Sequence, residues 1–189
     1  MLAGADRRSG RVPGSRHPVA LAHGGDLHDH DVTRFFLIRG ERTFVQDPAF
    51  GFRQLVDIAI RALSPAVNDP TTGVQAIDRI SDLLGITGNR LDPTGLRVDS
   101  SGTVRVKRKL RNFDGLLVLS LTEIIRYGAD APQVVRRLRA MLDEFESTLP
   151  MERQAAIARQ RSLLEAAVSA ALPAPFMPVA STPDREGLG

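Results

Sequence analysis

The sequence of 189 residues contains no cysteine and no tryptophan. Without cysteine, disulfides, thiolate metal sites and cysteine nucleophiles are excluded. Aromatic residues make up 5% of the chain, which disfavours a surface that stacks nucleic-acid bases. A membrane-spanning helix needs about 18 consecutive apolar residues, and the best stretch, 166–180, is interrupted by three prolines. The chain taken alone is therefore expected to be soluble.

Histidine is absent from the part of the chain that we expect to fold. The four histidines are His17, His23, His28 and His30. Residues 23–31 contain three His and three Asp and could take up zinc or nickel loosely, but no periodic element surrounds them, and a flexible leader is the favoured interpretation. We predict no metal site and no cofactor. A Ser-His-Asp triad or a histidine general base is disfavoured, which favours a non-enzymatic protein.

The remaining pattern predicts a mainly α protein: a helical bundle with a central helical hairpin and one small β-hairpin. We expect a disordered leader (1–31), a single helical domain (32–172) and a Pro-rich tail (173–189). The first helix should begin after the N-cap Asp47 and end near Leu63. The second should follow a cap at Asn68 or Asp69, run to about Leu84 and end near Gly85.

Further along, residues 96–98 and 103–110 flank a turn at 99–102 and predict the β-hairpin. Three more helices are expected over about 113–127, 132–148 and 151–172. Asp130 is predicted to cap the second of these helices, and Gly128 to end the first.

A charged stripe marks the first helix. Arg53, Asp57 and Arg61 are spaced four apart on one face, with Gln54 beside them. The other faces are apolar, which is typical of a buried helix. One interpretation is a structural ion-pair ladder, with a partner among Asp78, Arg79 and Asp82. The other is an anion site, since a guanidinium can grip an oxyanion with two hydrogen bonds.

The start of the second helix allows the same two interpretations. Asn68 or Asp69 can cap the helix, and the hydroxyls of Thr71 and Thr72 can bond nearby backbone. Alternatively, the free N–H groups of the helix start could hold a phosphate, although the glycine-rich loop and lysine of a P-loop are absent. The candidate binding residues are Arg53, Gln54, Asp57, Arg61, Asn68, Asp69, Thr71, Thr72 and Asp78.

Several stretches resemble a known family. They are ERTFVQDPAFGFRQLVDIAIRALSPAVNDPTT (41–72), QAIDRISDLL (75–84), YGADAPQVVRRLRAML (127–142) and DREGLG (184–189). They are similar to the domain of unknown function 2254 family of predicted bacterial membrane proteins, over about 31–189. The resemblance implies several N-terminal transmembrane helices followed by a soluble region on the cytoplasmic side. This chain resembles that C-terminal region alone, as from a shortened gene or a fragment. No activity is implied.

Two basic clusters remain to be explained. One comprises Arg105, Lys107, Arg108, Lys109 and Arg111, and the other Arg136, Arg137 and Arg139. A solvated face is the favoured interpretation. Anionic lipid headgroups come next, given the membrane attachment that the resemblance implies. Nucleic acid comes last, because no reader motif is present and the net charge is only +3.

Two functions therefore compete. The favoured one is a non-enzymatic module for assembly, sensing or regulation. Its partner would be the transmembrane region of the parent family, an anionic membrane surface or a second copy of the chain; no nucleic acid is expected. The alternative is a small-anion-binding, phosphate-binding or enzymatic domain built on the Arg/Asp cluster. Polar groups satisfied by one another support the first function, and an open pocket with unpaired arginine donors supports the second.

Overall fold

The computed structural model describes residues 21–22, 47–107, 110–172 and 174–181. The chain divides into two compact units, one formed by Met1–Arg42 and Pro93–Leu110 and the other by Thr43–Asp92 and Arg111–Gly189. We call the second the helical unit, and Pro93–Leu110 the hairpin segment. The sequence predicted a single domain over 32–172, whereas this division assigns the hairpin segment to a different unit.

Helices account for most of the helical unit, and the mainly α prediction is confirmed. They are α1 (Pro48–Ala62), α2 (Pro70–Gly88), α3 (Phe113–Gly128), α4 (Pro132–Thr148) and α5 (Met151–Ala171), followed by a 3-10 turn (Ala174–Phe176) and α6 (Met177–Ser181). Helices α1 and α2 pack together as the predicted helical hairpin, and α3 contacts α1, α2, α4 and α5.

The predicted caps of the first two helices are confirmed. The Asp47 carboxylate accepts the Ala49 N–H at 3.1 Å, and that of Asp69 accepts the Thr72 N–H at 3.0 Å. The cap predicted at Asp130 is wrong. Ala131 holds the N-cap position of α4 and provides no side-chain bond, and Asp130 lies one residue too early to reach the helix start.

The predicted end of α2 was too early, whereas α3 ends at Gly128 as predicted. Helix α2 continues through Gly85 to Gly88, and α3 includes Gly128. Leu84 and Gly88 are both buried, so packing sustains the last turn of α2 despite the weak helix propensity of glycine. At Gly128, the last residue of α3, a Cβ would lie 2.6 Å from the Val134 side chain, so this glycine also allows close packing where its helix ends.

The predicted Pro-rich tail contains regular structure. Its described residues form the 3-10 turn and α6, which packs on α4. Pro178 occupies the second position of α6, where its missing N–H leaves no helical bond unmade. Residues 173 and 182–189 lie outside the described residues.

The core of the helical unit is mainly aliphatic. Fully buried side chains include Leu117, Leu121, Ile124, Leu138 and Met141. Phe52, Val56 and Ala59 bury one face of α1, but Ile58 on the opposite side is half exposed. The expectation that α1 is buried all round is therefore wrong, because the Arg53–Arg61 stripe lies along a face that reaches solvent.

The hairpin segment contains the predicted β-hairpin. Strands β2 (Leu96–Val98) and β3 (Val104–Lys107) pair antiparallel, and β1 (Leu21–Ala22) pairs with the other edge of β3. In the turn, the Asp99 carboxylate accepts the N–H groups of Ser101 and Thr103 at 2.9 Å, and Gly102 has φ +81°. Strand β1 lies within the predicted leader, and the rest of 1–31, with its four histidines, lies outside the described residues.

Candidate functional site

Arg53 is the first residue of the predicted stripe, and carboxylates on two sides bind its guanidinium. It donates to Asp57 on its own helix, with Nε 2.8 Å from Oδ1, and to Glu123 of α3, with Nη2 3.0 Å from Oε2; a further short contact joins it to each carboxylate. The pairing of Asp57 with an arginine is thus confirmed. Hydrogen bonding from Arg53 lowers the pKa of Glu123. Neither of the two ion pairs of Arg53 is buried, because the side chains of Asp57 and Glu123 are 50% and 42% exposed.

Arg61, two turns after Arg53, has a different environment. It lies on the exposed side of α1 and makes no ion pair with any described residue. It lines an open depression together with Asp57, Ile60, Ser64, Pro65 and Tyr127. Gln54 is also exposed. The stripe therefore splits into a satisfied arginine and an unpaired one.

The start of α2 is occupied by its own cap. The Asp69 carboxylate accepts both the N–H and the hydroxyl of Thr72, and these bonds, the hydroxyl's first, lower the pKa of Asp69. Asn68 sits at φ +48°, a left-handed conformation that asparagine tolerates, and Thr71 is exposed. A carboxylate already fills the position that an anion would take. Among described residues, none of 68–72 lines the depression beside Arg61.

Asp78 faces a different partner from the one predicted. Its carboxylate accepts from Arg137 of α4, which is 7% exposed. Asp82 pairs within α2 with Arg79, on the surface. The partner expected among these residues is therefore wrong. An ion pair does join α1 to a neighbouring helix, but the charged face of α1 meets α3, and Glu123 is the partner.

The basic cluster of α4 is used inside the helical unit. Arg137 pairs with Asp78, and Arg139 donates to Glu165 of α5, with Nε 2.9 Å from Oε1, and to the backbone carbonyl of Ala180. Arg136 donates to the carbonyl of Val179 at 3.3 Å. The interpretation of this cluster as a solvated face is wrong, since its guanidiniums join α4 to α2, α5 and α6.

Arg153 is a buried charged residue of the helical unit that sequence reasoning missed. Its guanidinium donates to Asp92 Oδ2 at 2.6 Å and to the carbonyls of Arg90 and Gly88 at 2.9 and 3.3 Å. It also lies over the Phe113 ring, 5.1 Å from the centroid. Hydrogen bonding from Arg153 lowers the pKa of Asp92.

The position of Asp92 gives this contact a structural role. The helical unit is interrupted between Asp92 and Arg111, and Asp92 Oδ1 accepts the N–H of Phe113 at 2.9 Å. The Arg153–Asp92 contact therefore holds together the two places where the chain leaves the helical unit and re-enters it. The spacing of Arg153 along α5 was a sequence signal for its burial. It shares the buried face of the helix with residues 156, 157, 160, 164 and 168.

Two more arginines of α5 pair with carboxylates on neighbouring helices. Arg159 donates to Asp114 of α3 at 3.0 Å, and Arg161 donates to Asp143 and Glu146 of α4 at 2.6 Å each. The helix pairs α1–α3, α2–α4, α3–α5 and α4–α5 are thus each joined by an arginine–carboxylate bridge.

In the described ranges no group of three His, Cys, Asp or Glu side chains is placed to hold a metal ion. None of the described helices combines the length and apolar character needed to cross a bilayer.

Comparison with known proteins identifies the family. Uncharacterized proteins of Mycobacterium bovis and of two Mycobacterium tuberculosis strains are 35% identical over 125 residues, which cover 66% of this chain and 24% of theirs. The chain thus spans about a quarter of the length of these relatives. No solved structure matches. The family described as "Predicted membrane protein (DUF2254)" matches residues 5–144, beginning earlier and ending sooner than the resemblance suggested. The chain belongs to this family of predicted membrane proteins.

Proposed function

We propose that the helical unit is a non-enzymatic structural module through which a bacterial membrane protein assembles or receives a regulatory signal on the cytoplasmic side. The observation that carries the proposal is the state of Arg53. Its donors are taken up by Asp57 and Glu123, and catalysis or anion binding would need those donors free.

The other candidate residues support the same conclusion. Asp69 is used as a helix cap and Asp78 as the partner of a buried arginine. A polar group that is satisfied by its neighbours fixes the packing of two elements and has little capacity left for a ligand. Within the described helical unit, the residues that the sequence indicated as candidates for binding or catalysis thus mostly determine which helices pack against each other.

A module of this kind needs a surface for its partner. Ile58 on α1 and Val118 on α3 are about half exposed, and these helices pack against each other. Exposed aliphatic side chains of this size favour a protein contact. We propose the transmembrane region of longer family members as the partner, with a second copy of this chain as the other candidate. Sedimentation velocity of the chain tests self-association, which should weaken in Ile58→Ser if that face is used.

A second function is favoured by one observation, the depression beside Arg61. An unpaired guanidinium there adjoins the apolar side chains of Ile60 and Pro65 and the ring of Tyr127. Such a site could take a small carboxylate or phosphate through one arginine. Asp57 also lines it, and its negative charge opposes an anion.

The two functions are separated by a matched pair of variants, Arg53→Ala and Arg61→Ala. Both remove a guanidinium from α1, but only Arg53 bridges two helices. Under the structural function, Arg53→Ala lowers the free energy of unfolding by about 1 kcal/mol, the upper range for exposed bridges, and Arg61→Ala leaves it within about 0.5 kcal/mol of wild type. Chemical denaturation measures both values.

Ligand response provides the second half of the test. The midpoint of thermal unfolding is measured with inorganic phosphate, a nucleotide and a short-chain carboxylate. The structural function predicts that none of these ligands raises the midpoint of the wild type in a saturable way. A rise that follows ligand concentration and is absent in a folded Arg61→Ala variant would establish the anion site instead.

A further inference from the structure

The hairpin segment carries a charge that sets it apart from the rest of the chain. Among its 18 residues, five are basic (Arg97, Arg105, Lys107, Arg108 and Lys109) and only Asp99 is acidic. Its net charge of +4 exceeds the +3 of the whole chain, so the other residues together carry −1. Both lysines of the protein lie within it.

The described side chains of this segment place aliphatic groups beside basic ones in contact with solvent. Leu96, Val98 and Leu110 are 39%, 59% and 40% exposed. Arg97 and Lys107 are exposed as well, and Leu96 lies opposite Lys107 in the β2–β3 register. No residue of β2 is buried. Exposed leucine and valine on a strand are unfavourable in water, so this surface is suited to an occupant with both apolar and anionic character.

We propose that the hairpin segment binds the surface of an anionic lipid membrane. Its arginine and lysine side chains would contact phosphate headgroups, and Leu96, Val98 and Leu110 would enter the boundary between headgroups and acyl chains. Basic residues near an anionic leaflet each add to binding, and exposed aliphatic side chains add the apolar part. The proposal goes beyond the structural role of the helical unit and does not depend on it.

The same charge could attract nucleic acid, but the side chains favour lipid. The segment contains no Phe, Tyr or Trp, and single-stranded nucleic acids are held largely by stacking on such rings. Its described apolar groups are aliphatic, which fits acyl chains better than bases. The proposal therefore commits to phospholipid, and nucleic-acid binding is an outcome of the test.

The test is co-sedimentation of the full chain with vesicles. One set contains phosphatidylcholine and phosphatidylglycerol in equal parts, and the other contains phosphatidylcholine alone. The double variant Arg97→Glu/Lys107→Glu reverses two charges on the hairpin segment. Its matched control, Arg61→Glu/Arg79→Glu, reverses two exposed charges on the helical unit. Val98→Ser examines the apolar contribution without changing the charge. Circular dichroism confirms that each variant is folded.

Binding to the anionic vesicles is expected for wild type and control, decreasing as salt is raised. The hairpin double variant should bind at least about tenfold more weakly, and Val98→Ser should also lose affinity. The proposal is overturned if wild type does not bind anionic vesicles, or if it binds vesicles of phosphatidylcholine alone as tightly as anionic ones. It is also overturned if the two double variants bind anionic vesicles with the same affinity. Binding to a fluorescent oligonucleotide more tightly than to the anionic vesicles would overturn it as well.

Discussion

The helical unit and the hairpin segment both depend on basic residues, but they use them in opposite ways. In the helical unit, Arg53, Arg137, Arg139 and Arg153 each meet a carboxylate from another part of the unit. In the hairpin segment the basic residues outnumber acidic ones by five to one, so most have no carboxylate available within it. The number and placement of acidic neighbours thus decide whether an arginine serves the fold or a partner.

The same contrast holds for apolar residues. The helical unit buries a continuous aliphatic core, whereas Leu96 and Val98 of β2 remain exposed. Short strands whose apolar side chains are exposed, as in β2, contribute little stability of their own. Stability should therefore depend on the helical unit, and the hairpin segment should be tolerant of substitution. The following predictions test that division, beginning with the largest effect.

Arg153→Met should destabilise the protein by about 3 kcal/mol, because it leaves Asp92 without its partner and two backbone carbonyls without a donor. Methionine keeps most of the side-chain volume, so the effect reports the lost polar contacts. The free energy of unfolding from chemical denaturation is the measurement. Arg61→Met is the control, since Arg61 has no ion-pair partner among the described residues; equal effects in the two variants would show that the Arg153 contact does not matter.

Gly128→Ala should cost about 1–3 kcal/mol, because the new methyl group would lie 2.6 Å from the buried Val134 side chain. Gly85→Ala provides a matched comparison at another helical glycine. There the nearest atom, on the Phe145 ring, is 4.0 Å away, so the better helix propensity of alanine should stabilise by about 0.5–1 kcal/mol. Thermal unfolding of both variants checks the opposite signs, and destabilisation of both would remove the packing argument.

The fold could be predicted because its signals are local. Asp47 and Asp69 cap helices that begin with proline, and the turn at 99–102 lies between two short β-prone stretches; all were found where expected. The errors came from tertiary packing. Gly85 carries a helix-ending signal that packing overrides, and Pro178 fits the first turn of a helix that the sequence did not predict.

The candidate site was less predictable, since its partners are distant in sequence. The Arg53–Asp57 pair follows from a spacing of four, but Glu123 lies 70 residues away and no local pattern connects the two. Arg137 and Asp78 are separated by 59 residues and Arg153 and Asp92 by 61. Spacing predicts which residues share a helix face, while the helix against which that face packs depends on the whole fold.

Acid should weaken the Arg153 contact. The pKa of Asp92 lies below its ordinary value of 3.8 because Arg153 donates to the carboxylate. A lowered folded pKa gives stability that is present above the ordinary value and is lost as pH falls through the folded one. At neutral pH, wild type should therefore have a higher free energy of unfolding than Asp92→Asn. This difference should be smaller than the destabilisation by Arg153→Met, and it should shrink below pH 3.8.

A surface pair is the control for this pH dependence. Asp82 pairs with Arg79 where both side chains are largely exposed, so Asp82→Asn should change stability by less than about 1 kcal/mol at any pH. Urea denaturation at a series of pH values measures both differences. A constant gap between wild type and Asp92→Asn would contradict the proposed dependence on a charged Asp92.

The smallest effect is expected in the hairpin segment itself. Val98→Ser replaces a side chain that is mostly exposed, and the free energy of unfolding of the helical unit should stay within about 0.5 kcal/mol of wild type. Val134→Ser makes the same chemical change at a fully buried position, where the loss of apolar contacts and the buried hydroxyl should cost about 2 kcal/mol or more. Denaturation followed by helical circular dichroism compares them. If Val98→Ser were as costly as Val134→Ser, the valine would belong to the core that stabilises the helices, and the division between a structural unit and a partner-binding segment would be wrong.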